Sequence, residues 1–242
     1  MGPQLKIGRF GGSKISYPPI RLISVVIPVK NNPEGLRVVL TSVREAEKRS
    51  PVPVELVVVN DGSTDGTEAV ALEFGAKVVQ QPGNGRYVGP GLLLGVGKTR
   101  NAGILASTGD VIASLDADCR VDPHYFQRIA KALANHDFVA LNQLPIGPDP
   151  GKLTYKLFAD IVFKLGAKGA AEPSVAFRRA ICPDALACFT PEGYAEILGV
   201  SKRAQYGASD TGNTVYTDMS KWRQRAGWAI LVALGLVVGN KS

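Results

Sequence analysis

Along the chain up to residue 141, short β-branched apolar runs alternate with amphipathic stretches, and polar residues collect where the runs end. Leu22 to Val29 (LISVVIPV) has the length and branching of a buried strand. Pro33 follows, suited to a first helical turn. Leu36, Val39, Leu40 and Val43 then recur at i, i+3, i+4 and i+7, which predicts one apolar helix face, ended by Pro51 and Pro53. Val54 to Asn60 (VELVVVN) predicts a second buried strand. The turn 61–67 leads into a helix capped by Ser63, Thr64 or Asp65 and closed by Gly75. Ala76 to Gln80 predicts a third strand. Residues 82–97 hold six glycines and two prolines and predict a loop. Beyond it the pattern predicts a helix from about Lys98 to Ser107 and a strand from Asp110 to Leu115. A helix capped by Asp122-Pro123 and running to about Asn135 comes next, then a strand from Phe138 to Leu141.

The remainder has weaker periodicity. Residues 145–151 (PIGPDPG) predict a linker. Helices are expected near 152–166, after Thr190-Pro191, and from Val215 to Ala226 with Gly227 as the stop. Trp228 to Val238 predicts a returning strand. Strands alternating with helices predict an α/β fold with a doubly wound, mostly parallel sheet flanked by helices. The divisions expected are an arm at 1–21, a first half at 22–143 and a smaller second half at 144–242.

Composition narrows the class. In 242 residues, 45% are apolar, enough for one large core. A charged fraction of 20% and 27 glycines exclude a coiled coil or a disordered chain. The net charge of +7 suits an anionic partner, whether nucleotide, nucleic acid or lipid head group. Three cysteines (Cys119, Cys182, Cys188) with two histidines and no CxxC argue against structural zinc, and the expected state is buried thiols in a reducing compartment. Met1 to Pro19 holds no apolar leader core. The apolar tract Trp228 to Gly239, 12 residues, is too short to cross a bilayer. These features set the expectation of a cytoplasmic protein without a transmembrane segment.

Candidate chemistry sits at strand ends. An open parallel sheet binds ligands beyond the carboxyl ends of its strands. Three polar clusters fall at such ends: Lys30-Asn31-Asn32, Asn60-Asp61-Gly62-Ser63 and Asp116-Ala117-Asp118. Two carboxylates side by side repel unless a cation lies between them, and Mg²⁺ or Mn²⁺ on oxygen ligands neutralises a diphosphate leaving group. In an extended segment, Asp116 and Asp118 point the same way. Lys98 and Arg100 near a helix start oppose the helix dipole, which an anion there would offset. Gly97-Lys98-Thr99 is not the end of a P-loop, because the motif needs glycine where Leu92 stands. No GxGxxG follows the first strand, which disfavours a dinucleotide-binding domain.

Four segments together resemble the family 2 glycosyltransferases of the GT-A fold. Val25-Val26-Ile27-Pro28-Val29-Lys30-Asn31 is similar to the family's opening strand, and Val57 to Thr67 (VVVNDGSTDGT) to its most recognisable segment. Lys98 to Gly103 (KTRNAG) resembles its A-R-N-x-G helix start, and Gly109-Asp110 to Asp118 its metal-binding strand end. Order and spacing agree from about residue 22 to 135. The resemblance implies a nucleoside-diphosphate sugar as donor, Mn²⁺ or Mg²⁺ as cofactor, and transfer to an acceptor hydroxyl with inversion. It implies that Pro28 and Asp61 line the base and ribose pocket, in which Val29, Asn31 and Ala117 also fall. Lys98 and Arg100 would lie near the diphosphate or in the pocket wall. Asp116 would face ribose or metal, and Asp118 would bind the metal.

For the acceptor half, Cys188 to Tyr194 and Tyr206 to Asp210 resemble the family's segments, with Ser209 where a glutamate is usual. An inverting transfer needs a base for the acceptor proton. The resemblance implies an aspartate, Asp210 or Asp218, with Asp210 favoured. The family's histidine after the last strand is missing, and Asn240 stands near its place. Two other readings compete: a sugar nucleotidyltransferase, and an inactive module binding nucleotide, glycan or nucleic acid. The acceptor is open among protein, lipid, glycan and modified nucleic acid.

Overall fold

The computed structural model describes residues 17–83, 86–87, 93–146, 174–189, 204 and 207–218. The opening runs become β1 (Ile23–Val29) and β2 (Val54–Asn60), joined by α1 (Pro33–Glu47). α1 buries Leu36, Val39, Leu40, Val43 and Ala46, so the expected apolar face is the packed one. Pro33 is its first residue, and the Asn32 side chain caps it by accepting from the Gly35 N–H at 3.2 Å. Next come α2 (Thr67–Glu73) and β3 (Lys77–Gln80). Gly75 closes α2 at φ +66°. The cap of α2 is Gly66 rather than Ser63, Thr64 or Asp65, although Asp65 Oδ1 accepts from Thr67 N at 3.0 Å.

Within the loop expected at 82–97, the described residues include two short strands and the start of a helix. β4 (Arg86–Tyr87) pairs antiparallel with β5 (Leu93–Leu94), and α3 (Val96–Ala106) starts two residues before Lys98. Gly95, at φ +88°, supplies the left-handed residue that turns the chain into α3. β6 (Val111–Ser114) is followed by β7 (Cys119–Val121), so Asp116-Ala117-Asp118 lies in a turn and not in an extended segment. α4 (Tyr125–Leu133) leads to β8 (Phe138–Ile146), which runs on through part of the expected linker. β9 (Val175–Arg178) and β10 (Gly207–Asp218) complete the described elements. β10 overturns the helix expected from Val215, at least through Asp218. Val215, Tyr216 and Thr217 are β-branched or aromatic, a composition that fits a pleated strand between β8 and β7. The helices expected near 152–166 and after Thr190-Pro191, the strand at 228–238 and Asn240 lie outside the described residues.

Among the described residues the main sheet has eight strands in the order β3-β2-β1-β6-β9-β8-β10-β7. β3, β2, β1 and β6 are parallel neighbours, as are β8 and β10, whereas β9 and β7 pair antiparallel. This is the mixed, mostly parallel and doubly wound sheet expected. One face packs α1, α2 and α4 over Ile23, Val25, Ile27, Val58 and Ala113. The other packs α3 and residues 181–189 over Val26, Val57, Val59, Ile112, Val175 and Phe177. Here the cysteine expectation fails: Cys182 and Cys188 form a disulfide with Cα atoms 5.5 Å apart, and Cys119 is a buried thiol outside that bridge.

Candidate functional site

The turns that follow β1 and β2 are laced together at the carboxyl ends of the strands. Asp61 N donates to Val29 O at 2.9 Å, and Ser63 N donates to Asn60 Oδ1 at 2.9 Å. Asn31 N donates to Ser63 Oγ at 3.0 Å, and Asn31 Oδ1 accepts from Thr64 N at 2.8 Å. Asn31 sits at φ +48°, a left-handed conformation that asparagine tolerates better than most residues. Asp61 is thereby delivered to the strand end with 4% exposure.

Two further turns meet this pair. A Cβ on Gly62 would lie 3.2 Å from Gly83 Cα, and one on Gly83 would lie 3.6 Å from Lys30 Nζ. A Cβ on Gly35 would lie 2.6 Å from the Ala117 carbonyl oxygen, so the first turn of α1 rests against the Asp116-Ala117-Asp118 turn. Four turns therefore converge, which includes the three polar clusters predicted from the strand ends. Pro28 is half-buried and Val29 buried beneath them.

α3 adds a cation. Gly103 lets this helix lie close on the sheet, since a Cβ there would be 2.4 Å from Val26 Cγ1 and 2.7 Å from Val59 Cγ2. Arg100, almost one turn earlier, is 2% exposed. Its Nη1 donates to Ser114 Oγ at 2.5 Å, and its Nη2 forms a short ion pair with Asp116 Oδ1. A guanidinium removed from water requires such a partner; β6 supplies Ser114 and the turn that follows it supplies Asp116. Lys98, in the first turn of α3, is exposed. The structure thus brings Arg100 and Asp116 into contact and leaves Lys98 at the surface.

Asp116, Asp118 and Cys119 place their ligand-type atoms within 4.8 Å of one another. Cys119 Sγ is 3.9 Å from Asp118 Oδ1. Asp116 and Asp118 are half-buried and Cys119 is buried. Two half-buried carboxylates close together offer the hard oxygen donors that Mg²⁺ or Mn²⁺ requires. The donor set therefore fits the metal that the resemblance implies. Behind the cluster Tyr125 is fully buried, and burial, with Cys119 nearby adding, pushes its phenol well above the ordinary value of 10.0.

The two candidate bases both lie on β10. Asp210 pairs with Leu141 of β8. Thr217 pairs antiparallel with Cys119, the residue after Asp118, and the ladder ends there. An irregularity between Asp210 and Thr214 separates the two aspartates. Along the backbone, Asp218 is therefore the nearer of the two to the acidic turn.

Some participants had no signal in the residue pattern. Ser114 reads as one more strand residue, and its role depends on Arg100 reaching it across the sheet. Phe189 looks like a core aromatic, yet its ring centroid lies 5.7 Å from the Arg100 Cζ. Cys119 could have been suspected from its place directly after the second aspartate. Among the described residues no helix is long and apolar enough to cross a membrane.

Comparison with known proteins agrees with this geometry. A sequence model of the family described as "Glycosyl transferase family 2" matches residues 24–179. A bactoprenol glucosyl transferase of Shigella phage SfX is 35% identical over 109 residues, 42% of this chain and 32% of that protein. An undecaprenyl-phosphate 4-deoxy-4-formamido-L-arabinose transferase of Serratia proteamaculans is 33% identical over 117 residues, 47% of this chain and 34% of that protein. The chain spans about a third of the length of these curated relatives. Among solved structures, glucosyl-3-phosphoglycerate synthase from Mycobacterium tuberculosis, in complex with Mn²⁺ and UDP-glucose, superposes with a TM-score of 0.59 at 20% identity, over 89% of this chain and 78% of that one. That similarity concerns the fold.

Proposed function

The chain belongs to glycosyl transferase family 2, and from that premise we propose that it transfers a sugar from a nucleoside-diphosphate sugar to an acceptor hydroxyl, with a divalent metal and with inversion. The observation that carries the proposal is the convergence of Asp61, the Arg100–Asp116 pair and Asp118 at the carboxyl ends of adjacent parallel strands and the turn beside them. Residues 22–143 form the donor half and 144–242 the acceptor half in this reading. Asp61 accepts hydrogen bonds from the base, in a pocket bounded by Pro28, Val29, Asn31 and Ala117. Asp116 and Asp118 hold Mn²⁺ or Mg²⁺, which when bound supplies positive charge to the leaving diphosphate. Lys98 adds a mobile cation near it. Arg100 holds Asp116 in place, and Asp218 takes the acceptor proton as the hydroxyl attacks the anomeric carbon.

UDP-sugars are the first donors to test, because the mycobacterial structural neighbour was determined with UDP-glucose. The two curated relatives are named for bactoprenol and undecaprenyl phosphate, so polyprenyl phosphates are a further acceptor class to test, one in which a phosphate oxygen would attack in place of a hydroxyl and no base would be needed. The net charge of +7 suits such an anionic acceptor.

The test is a thermal-shift panel of UDP, GDP, dTDP and CDP and their sugars, with and without Mn²⁺. A ligand at a hundred times its Kd stabilises the native state by about 2.7 kcal/mol. One nucleotide should raise the melting temperature, more so with Mn²⁺, and Asp118→Ala should remove the metal-dependent part alone. No shift with any nucleotide at millimolar concentration would sink the proposal.

A further inference from the structure

Residues 182–189 are fastened to α3 next to Arg100. The Cys182–Cys188 bridge closes this loop. Asn101, 3% exposed, uses both ends of its amide on it. Asn101 Nδ2 donates to the carbonyl oxygens of Leu186 at 2.7 Å and Phe189 at 2.9 Å, and Oδ1 accepts from Phe189 N at 2.8 Å. Two of these three bonds grip the backbone of Phe189, so its position is set from α3. The Phe189 ring, 1% exposed, meets Phe177 edge-on at 6.1 Å between centroids and faces the Arg100 guanidinium at 5.7 Å. Arg100 and Asn101 are consecutive, so one turn of α3 carries both the grip on the loop and the cation beneath the ring that the grip delivers.

From this arrangement we infer that the Cys182–Cys188 loop is a positioning element for donor binding, acting through Phe189 on Arg100 and so on Asp116. Asn101 and Phe189 are its positioning residues, and neither reaches the donor. The inference rests on the proposed donor site and deepens it. The edges of the guanidinium are held by Ser114 and Asp116. A planar cation held at its edges still swings about that line unless its face is blocked. An aromatic ring blocks the face and attracts the charge, most strongly where water is excluded. A swing of Arg100 would carry the Asp116 carboxylate with it, because the two are joined by their ion pair. Loss of a group that orients a metal ligand typically costs about 10–100-fold in metal affinity or activity.

The experiment compares wild type, Phe189→Leu, Phe189→Tyr, Asn101→Asp and the double variant Cys182→Ser/Cys188→Ser in two assays. The first reads the ¹⁵N-arginine side-chain signals of Arg100, which the ring current of Phe189 displaces. The second is calorimetric titration with UDP and Mn²⁺. Phe189→Leu should abolish the displacement and weaken UDP–Mn²⁺ binding about tenfold, while Phe189→Tyr restores both. Asn101→Asp keeps the volume but turns a carboxylate toward two carbonyls, releasing the loop without opening a cavity. It should lose most of the displacement and decide the matter if Phe189→Leu does not fold. Opening the bridge should weaken binding in the same direction and to a smaller degree. Unchanged Arg100 signals in Phe189→Leu or Asn101→Asp would overturn the inference, whatever the wild type binds. Equal affinity in Phe189→Leu and wild type, or failure of Phe189→Tyr to rescue, would also overturn it. If the wild type binds no nucleotide while the Arg100 signals respond as expected, the donor reading fails and the positioning of Arg100 stands.

Discussion

Gly103→Ala tests whether α3 is seated on the sheet closely enough to place Arg100. The added methyl would stand 2.4 Å from Val26 Cγ1 and 2.7 Å from Val59 Cγ2, against a favourable carbon–carbon separation of about 3.5–4.0 Å. Both valines are fully buried on adjacent parallel strands. Neither can turn aside, so α3 must rise by about 1 Å to restore contact. Overpacking of this kind costs about 1–3 kcal/mol, and alanine in a helix interior returns about 0.8–1.0 kcal/mol relative to glycine. With two collisions, both against the sheet, a net loss of about 1–2 kcal/mol is expected. For a domain of this size that lowers the melting temperature by about 2–8 °C. Calorimetric melting with urea denaturation at constant m checks the figure. The raised helix should also lengthen the Arg100–Ser114 contact and weaken nucleotide binding. An unchanged or higher melting temperature would show that helix propensity wins. The close seating of α3, and the placing of Arg100 by it, would then be wrong.

Three more expectations follow from other parts of the structure. Asp218→Asn should lower kcat by about 10²–10⁴ with KM nearly unchanged, as for loss of a general base, whereas Asp210→Asn should leave turnover close to wild type; steady-state kinetics with the donor found in the thermal panel decides between them. Asn31→Ala loses the bond from Thr64 N, worth about 0.5–1.5 kcal/mol, and strains a φ of +48°, so urea unfolding should show it less stable than Asn31→Gly. For Glu55, burial alone would raise the carboxyl above its ordinary 4.5, but hydrogen bonds from Ser24 and Thr108 outweigh burial, Lys77 adds to them, and the value is lowered. The unfolded chain then takes up this proton first as pH falls. The contribution is complete above the unfolded value and is lost as pH falls through the lower folded one, so Glu55→Gln should flatten the urea midpoint between about pH 6 and pH 3.

Residues 22–80 were legible because their elements are specified locally. α1 carries its own cap, first-turn proline and apolar stripe, and β2 is an apolar run ending in an asparagine that organises its own turn through Ser63. Such signals survive without knowledge of tertiary partners. What was missed depends on partners distant in sequence. β9 is four residues long and recognisable only between β6 and β8. The Cys182–Cys188 bridge spans six residues, and its loop has no periodicity to announce it. Arg100 is open in sequence between the diphosphate and the pocket wall, and the fold turns it inward onto Ser114 and Asp116. Nothing in residues 98–103 alone distinguishes these outcomes.

The choice of base turns on one strand. The resemblance of Tyr206 to Asp210 to the family's segment favours Asp210, with Asp218 as the second candidate. In the fold, Val215, Tyr216 and Thr217 pair with Val121, Arg120 and Cys119. Strand pairing fixes position along the chain to a single residue, so Asp218 directly follows a residue paired with Cys119, the neighbour of Asp118. Along the same strand Asp210 is eight residues earlier, a path of about 3.3 Å per residue even before the irregularity between them. In the proposed reaction a base must come within hydrogen-bond reach of the attacking hydroxyl, and that hydroxyl would approach a sugar whose diphosphate lies near Asp116 and Asp118. If the metal site lies at these two aspartates, the strand that delivers Asp218 to them is the part of β10 that catalysis requires. Shifting its register by one residue should then be as damaging as removing the carboxylate.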